Sequence, residues 1–136
     1  MKKVIVYCRK SAKPRSSEER KEENQILSLE SQEKELLDFA KRKSLEVVRV
    51  LKENESAYRT GRPLFEQMME SIRNGEAEYI LVWNLTRVAR NSLDGGRVIY
   101  FLDEKLLKGV ITPSREYLNS GEDKFILNIE LAMSKK

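Results

Sequence analysis

The sequence predicts an α/β domain with a mostly parallel central sheet of four to five strands and helices on both faces. Two short apolar runs, residues 4–7 and 79–83, have the length and composition of strands that are buried on both faces. Segments with helical spacing of apolar residues separate the strand-like runs. Strands that alternate with helices favour a parallel sheet with right-handed crossovers. The length of 136 residues suits one domain.

The first half of the chain contains two strands and a helix between them. The helix is indicated by apolar residues at roughly helical spacing, at positions 29, 36, 39 and 40. Two stretches of polar and charged residues, the first of which contains Pro14, are typical of loops. In chain order, we predict a strand at 4–7, a loop at 9–27, a helix at 27–43, a strand at 47–51 and a loop at 53–62.

The second half begins with a helix whose two ends are marked in the sequence. Pro63 suits the first turn of a helix, and Asn74 with Gly75 suits its end. Apolar residues at positions 64, 68 and 72 share one face of this helix. After it we predict a strand at 79–83, a helix at 92–107, a strand at 110–112, a short edge strand near Tyr117 and a last helix that opens near Glu122.

The charge balance is compatible with a polyanionic partner such as nucleic acid. The 26 basic and 22 acidic residues are interspersed and give a net charge of +4, so the chain does not have the pattern of a basic tail. No apolar run reaches the length of about 18 residues that a membrane span needs, and no signal-peptide pattern is present. We therefore expect a soluble cytoplasmic protein with no membrane partner.

Several catalytic centres are excluded by missing residue types. The chain has no histidine, which removes histidine triads, histidine metal clusters and HNH-type nuclease centres. Its single cysteine, Cys8, excludes an internal disulfide framework and a multi-cysteine zinc site. The glycines fit neither GxGxxG nor GxxxxGK, the motifs that cradle nucleotide phosphates. The sequence therefore predicts neither a metal nor a cofactor.

Residues that suit phosphate chemistry follow the predicted strands. Arg9 and Ser11 come after the first strand, and Arg87 and Arg90 come after the second apolar run. Because ligands of α/β sheets bind at the carboxyl ends of the strands, we expect these residues to lie together, with Arg62 nearby. Arginine offers a planar, permanently charged fork to phosphate oxygens, and a serine hydroxyl can act as a nucleophile. The sequence therefore predicts a phosphate site.

The order and spacing of four motifs resemble those of the catalytic domain of serine recombinases. That family includes resolvases, invertases, large integrases and transposon recombinases, and the resemblance covers nearly the whole chain. It implies that residues 1–136 form a resolvase-like catalytic domain. The motifs are Tyr7-x-Arg9-x-Ser11, Ser28-Leu29-x-x-Gln32, Ser56 with Arg62-Pro63, and Leu85-x-Arg87-x-x-Arg90-Asn91.

The resemblance implies an enzyme that cleaves and rejoins double-stranded DNA at specific sites without metal or ATP. Ser11 would attack the scissile phosphate, form a 5′-phosphoserine link and release a 3′-hydroxyl. Similar enzymes act as dimers that assemble into synaptic tetramers on two DNA sites and exchange ends by subunit rotation. The implied catalytic residues are Ser11, Arg9, Arg62, Arg87 and Arg90, and the implied supporting residues are Tyr7, Gln32, Ser56 and Thr86.

Thr86 departs from the family pattern, which usually has an acidic residue before the first arginine of the RxxR pair. Glu53 and Glu55 are candidates for a compensating carboxylate, although the sequence does not place either one at the site. The general base for Ser11 stays open, because the chain has no histidine and arginine hardly ever loses its proton. The alternative function is a catalytically impaired, DNA-associated regulatory domain on the same scaffold.

Other chemistries and simpler roles are the alternatives to this function. A cysteine phosphatase needs Cys-x5-Arg, but six residues separate Cys8 from Arg15. A metal-dependent nuclease needs clustered carboxylates where the strand ends carry arginines. In the simpler roles, Tyr7 ends a strand with its hydroxyl in water, and Arg87 and Arg90 form surface ion pairs with acidic residues at positions 76 or 78.

The last predicted helix carries an apolar stripe from Phe125 to Met133. The resemblance implies that this helix forms a dimer interface and leads to a separate DNA-binding domain. The sequence ends at Lys136 while the helical pattern is still running. We therefore expect a catalytic domain whose last helix is cut short, without the DNA-binding domain.

Overall fold

The computed structural model describes residues 1–11, 28–55, 62–89 and 92–133. The strands are β1 (Lys3–Ser11), β2 (Glu46–Glu55), β3 (Tyr79–Val82), β4 (Gly109–Ile111) and β5 (Glu116–Leu118). The described residues form one five-stranded sheet in the order β2-β1-β3-β4-β5. The first four strands run parallel, and β5 lies antiparallel to β4 at one edge. The predicted α/β fold with a mostly parallel sheet is confirmed.

Helices connect the four parallel strands in the described part of the chain. They are α1 (Leu29–Arg42), α2 (Pro63–Arg73), α3 (Ser92–Asp103) and α4 (Gly121–Met133), with a one-turn 3-10 helix (Leu85–Arg87) after β3. The hydroxyl of Ser28 caps α1 by accepting a hydrogen bond from the Ser31 amide at 3.1 Å. As predicted, α2 begins at Pro63, and Gly75, with φ of +82°, follows its end. None of the described helices is long and apolar enough to cross a membrane.

The buried apolar side chains form two clusters, one on each face of the sheet. Successive residues of β1 point to opposite faces, so Tyr7 joins one cluster and Cys8 the other. Helix α1 covers the Cys8 side with Leu36 and Phe39. Helices α2, α3 and α4 supply side chains to the Tyr7 side. The predicted arrangement of helices on both faces is thus confirmed.

Helices α3 and α4 approach each other closely at Gly95. A Cβ atom at this position would lie 3.0 Å from the Cβ atom of Leu131, which is closer than side chains normally pack. Leu127 and Leu131 of α4 enter the core on this side. The outer face of α4 leaves Phe125 and Ile129 exposed.

Some of the predicted boundaries were wrong. Strand β1 extends to Ser11 and β2 to Glu55, into segments that we predicted to be loops. Beyond Tyr7, the described part of the chain pairs β1 with β2 but not with β3. The last residues of β1 and β2 therefore form a two-stranded ribbon. Because most of its residues are polar, the sequence there lacks the apolar run that predicts a strand. Helix α3 ends at Asp103 rather than at position 107.

The strand order reverses at β1, which has β2 on one side and β3 on the other. In open α/β sheets, the crevice at the carboxyl ends of the strands beside such a reversal is where ligands bind. The ribbon and the 3-10 helix both follow from these strand ends. The fold thus brings Arg9 of the first sequence motif and Arg87 of the fourth to one place.

Candidate active site

Three of the predicted site arginines lie at the carboxyl ends of β1 and β3. Arg9 is on the ribbon, Arg87 is on the 3-10 helix, and Arg62 immediately precedes α2. Their exposed fractions are 3%, 2% and 3%, respectively, so all three are buried. Buried charges are costly unless hydrogen bonds or opposite charges compensate for the loss of water. The contacts of these guanidinium groups therefore define the site.

Arg9 and Arg87 hold each other's backbone. The Nε of Arg9 donates a hydrogen bond to the carbonyl oxygen of Arg87 at 3.2 Å, and its Nη2 donates to the carbonyl oxygen of Thr86. The Nη1 of Arg87 donates to the carbonyl oxygen of Arg9 at 3.5 Å. These bonds join the end of β1 to the segment after β3. Two permanently charged groups that are fixed in this way form a preorganised environment for an anion.

Gln32 supports the backbone of Arg9 from α1. Its Nε2 donates to the carbonyl oxygen of Arg9 at 3.0 Å, and its Oε1 accepts a hydrogen bond from the Arg9 amide at 3.3 Å. The side chain is fully buried. Its amide therefore takes the place of a neighbouring strand at a residue where the pairing of β1 with β3 has already ended.

Arg62 connects three parts of the site. Its Nη2 forms an ion pair with Oδ2 of Asp94 at 2.7 Å. Its Nη1 donates to the carbonyl oxygen of Val88 at 3.0 Å and reaches the hydroxyl of Tyr7 at 3.5 Å. The guanidinium also lies 4.0 Å from the centre of the Phe65 ring, which permits a cation–π interaction.

Tyr7 donates a hydrogen bond from its hydroxyl to Oε1 of Glu53 at 2.6 Å. The Glu53 carboxylate also accepts hydrogen bonds from the backbone amides of Leu64 at 2.9 Å and Phe65 at 3.0 Å, in the first turn of α2. It therefore caps a helix whose own preceding residue provides no side-chain cap. Burial raises the pKa of the Tyr7 phenol far above its ordinary value, and the nearby Arg62 charge offsets only part of this rise. Tyr7 thus remains a neutral donor.

The structure overturns the simpler role of Tyr7 and, for Arg87 alone, that of a surface ion pair. The hydroxyl of Tyr7 is buried rather than in water. Arg87 does not form an ion pair with Glu76 or Glu78, because it is buried, whereas Glu76 pairs with Arg49 at the surface and Glu78 pairs with Lys108. Arg87 instead lies buried after strand β3, where its Nη1 donates to the carbonyl oxygen of Arg9.

The remaining predicted residues are placed only in part. The backbone of Ser11 ends β1 in register with Glu55 of β2. The side chain of Thr86 is exposed, and its hydroxyl donates to Oδ1 of Asn84 at 2.6 Å. Ser56 and Arg90 lie outside the described residues.

Two carboxylates of this site were not predicted to lie there. The sequence predicts Glu53 only as a candidate without a position, and it does not predict Asp94. The available signal for Glu53 was a helix start at Pro63 that lacks a capping side chain. The signal for Asp94 was an acidic residue in the first turn of the helix that follows the arginine motif.

Comparison with known proteins identifies the family. The sequence pattern of the family "Resolvase, N terminal domain" matches residues 4–135. The fold is similar to the N-terminal catalytic domain of TP901-1 integrase, with a TM-score of 0.67, 21% identity, and coverage of 94% of this chain and 90% of that chain.

Two further solved structures share the fold. A resolvase family site-specific recombinase from Streptococcus pneumoniae gives a TM-score of 0.68 at 22% identity, covering 96% of this chain and 85% of that chain. The C-terminal catalytic domain of ISC1926 TnpA, an IS607-like serine recombinase, gives a TM-score of 0.60 at 18% identity, covering 93% and 77%. At these identities the structural likeness shows the fold, and the family pattern shows the relationship. The predicted resemblance is therefore confirmed, and the chain belongs to the resolvase N-terminal domain family of site-specific recombinases.

Proposed function

We propose that this domain cleaves and rejoins double-stranded DNA at specific sites, with Ser11 as the nucleophile. The Oγ–P bond forms as the bond from phosphorus to the 3′ oxygen breaks, which leaves a 5′-phosphoserine and a free 3′-hydroxyl. The serine proton is lost and the leaving oxygen gains a proton. Because one phosphodiester replaces another, the reverse reaction can reseal the DNA without ATP.

The observation that carries this proposal is the pair of hydrogen bonds by which Arg9 and Arg87 each bind the other's backbone carbonyl oxygen. Both guanidinium groups are buried at the end of β1, the strand that also carries Ser11. A phosphodiester under attack spreads negative charge over its non-bridging oxygens, and oriented cations stabilise that charge. We assign this role to Arg9, Arg87 and Arg90, with Arg62 as the fourth cation of the cluster.

The ribbon supports the assignment of Ser11. Its backbone register with β2 fixes the chain direction at the nucleophile, and Gln32 holds the backbone of Arg9 two residues earlier. Such preorganisation lowers the entropic cost of in-line attack. Tyr7, Gln32 and Ser56 are proposed to support the site without reacting. Thr86 would contribute through its carbonyl oxygen, which accepts a hydrogen bond from Arg9.

We also propose that the domain acts as a dimer that assembles into a tetramer on two DNA sites. The support is the exposed apolar pair on α4, Phe125 and Ile129, with exposed fractions of 66% and 44%. These residues are four positions apart and therefore share one face of the helix. An apolar face of this kind is suited to a second copy of the same helix.

The test is a covalent adduct assay. The intact protein that carries this domain is incubated with duplex DNA containing its recombination site, in the presence of EDTA, and the products are separated on a denaturing gel. We expect an adduct on the 5′ end for the wild type and for Ser114→Ala, an exposed serine control. We expect none for Ser11→Ala, with DNA binding retained because removal of one hydroxyl leaves the phosphate contacts in place.

Each other outcome has a distinct meaning. An adduct formed by Ser11→Ala would refute the nucleophile. Cleavage that EDTA abolishes would indicate a metal-dependent nuclease. A wild-type protein that binds its sites but never forms an adduct would favour the impaired regulatory domain, and recovery by Thr86→Asp would assign the impairment to the missing carboxylate.

A further inference from the structure

A buried ion pair joins Arg62 of the arginine cluster to Asp94 of α3. The two side chains are 1% and 11% exposed, and the Nη2–Oδ2 distance is 2.7 Å. Removing one partner of a buried pair leaves the other charge without compensation, so the position of each depends on the other. Asp94 therefore determines where the guanidinium of Arg62 rests.

Arg62 in turn contacts two other parts of the site, the segment after β3 and Tyr7 of β1. Its Nη1 donates to the carbonyl oxygen of Val88, the residue that follows Arg87, and lies 3.5 Å from the hydroxyl of Tyr7. A continuous series of contacts thus begins at Asp94 in α3, passes through Arg62 and ends at the segment that carries Arg87.

We infer that Asp94 is a positioning residue for DNA cleavage. Its carboxylate holds Arg62, and through Arg62 it fixes both the Arg87 segment and the Tyr7 phenol. This inference rests on the proposed function. Asp94 does not need to touch DNA for this role, since it is buried in the first turn of α3, where the helix N-terminus also favours a negative charge.

The same two helices provide a matched control. Glu66 of α2 forms an ion pair with Arg97 of α3 at 2.6 Å and 2.9 Å, and more than a third of each side chain is exposed. Exposed pairs of this kind contribute little to stability. Glu66→Gln therefore breaks an exposed ion pair between the same two helices while the Arg62–Asp94 ion pair keeps both of its partners.

The first arm of the test measures the single-turnover rate of adduct formation and the dissociation constant for site DNA. We expect Asp94→Asn to lower the rate by about tenfold to a hundredfold, because a small misplacement of an oriented group is costly, and to change the dissociation constant by less than about twofold. Glu66→Gln should match the wild type. Arg62→Lys should lower the rate, and adding Asp94→Asn to it should cause little further loss, because both residues act through one contact.

The second arm does not depend on catalysis. The Nε–H signal of Arg62 and the backbone amide signals of Val88 and Ala89 are recorded by 15N NMR. We expect Asp94→Asn to shift them strongly and Glu66→Gln, which leaves the Arg62–Asp94 ion pair in place, to shift them much less. If the wild type forms no adduct, the proposed function fails, while this arm still decides whether Asp94 holds the segment.

Several results would overturn the inference: a wild-type cleavage rate for Asp94→Asn, additive losses in the double variant, or equal NMR changes in Asp94→Asn and Glu66→Gln. Thermal unfolding is followed for every variant. If Asp94→Asn does not fold, Asp94→Glu decides, because it keeps the charge but moves the carboxylate by one methylene. We then expect a slower rate with DNA binding preserved, and a wild-type rate would refute the role of Asp94.

Discussion

Glu53 shows how one side chain can join three elements. Its carboxylate accepts a hydrogen bond from Tyr7 on β1 and two from backbone amides at the start of α2, while Glu53 itself lies on β2. A carboxylate suits this place because all of the surrounding groups are donors. Glu53 thereby holds Tyr7 and the start of α2 in place beside the proposed site.

We predict that Glu53→Gln destabilises the domain by about 1–3 kcal/mol, because an amide NH2 group cannot accept from backbone donors and leaves a buried group unsatisfied. Urea unfolding followed by circular dichroism would measure the change. Glu76→Gln is the control, since Glu76 pairs with Arg49 at the surface, and it should change stability by less than about 0.5 kcal/mol. An equal, small effect of the two variants would contradict a structural role for Glu53.

At the level of single residues, the sequence predicted that Arg9 and Arg87 lie together but not which carboxylates lie with the arginines. Arg9 and Arg87 could be expected to meet because each follows a strand of one parallel sheet. Asp94 could not, because its partner Arg62 is distant along the chain and an acidic residue in a first helical turn is explained well enough by the helix dipole. The ion pair depends on how α3 packs against α2, which no local pattern encodes.

Among the secondary-structure elements, strands β1 and β2 differ most from expectation. Their last residues are polar, so the pattern of apolar residues does not predict a strand there. Strand β1 nevertheless pairs with β2 as far as Ser11. Backbone pairing defines this ribbon, together with the buried polar side chains of Arg9 and Glu53. Gln32 contributes by bonding to both the amide and the carbonyl of Arg9.

We predict that Gln32→Leu speeds hydrogen exchange at the Arg9 amide and lowers stability by about 1–3 kcal/mol, because two buried backbone groups lose their partner. Exchange measured by NMR would test the first effect and chemical unfolding the second. Glu35→Leu, an exposed substitution on the same helix, should leave the Arg9 amide unchanged. If the two variants exchange at the same rate, Gln32 does not support the strand.

At the scale of the whole molecule, the sequence predicted the architecture because the signals for α/β folds agree with one another. Buried apolar runs, amphipathic helices and helix-end residues all favour alternating strands and helices. The location of the site followed from this topology. The topology did not predict how deeply the three arginines are buried. Their burial depends on hydrogen bonds to carbonyl oxygens of the segment after β3.

We predict that self-association weakens when Phe125 and Ile129 are both replaced by glutamate, because like charges would then face each other across a shared surface. Sedimentation of the protein over a range of concentrations would measure this. Val48→Glu, which adds one charge at an exposed apolar residue of β2, should sediment as the wild type does. An unchanged association constant for the α4 variant would place any dimer interface elsewhere.

The ribbon has a mechanical consequence under the proposed function. A severed DNA end would be bonded to Ser11 at the tip of β1, so any pull on the DNA would act along the axis of that strand. Strand β1 is an interior strand of the sheet, with nine register partners in β2 and four in β3. A force along the strand loads these backbone bonds together in shear, instead of opening them one after another. The covalently held end would thus be attached to a strand that is paired on both sides within the sheet.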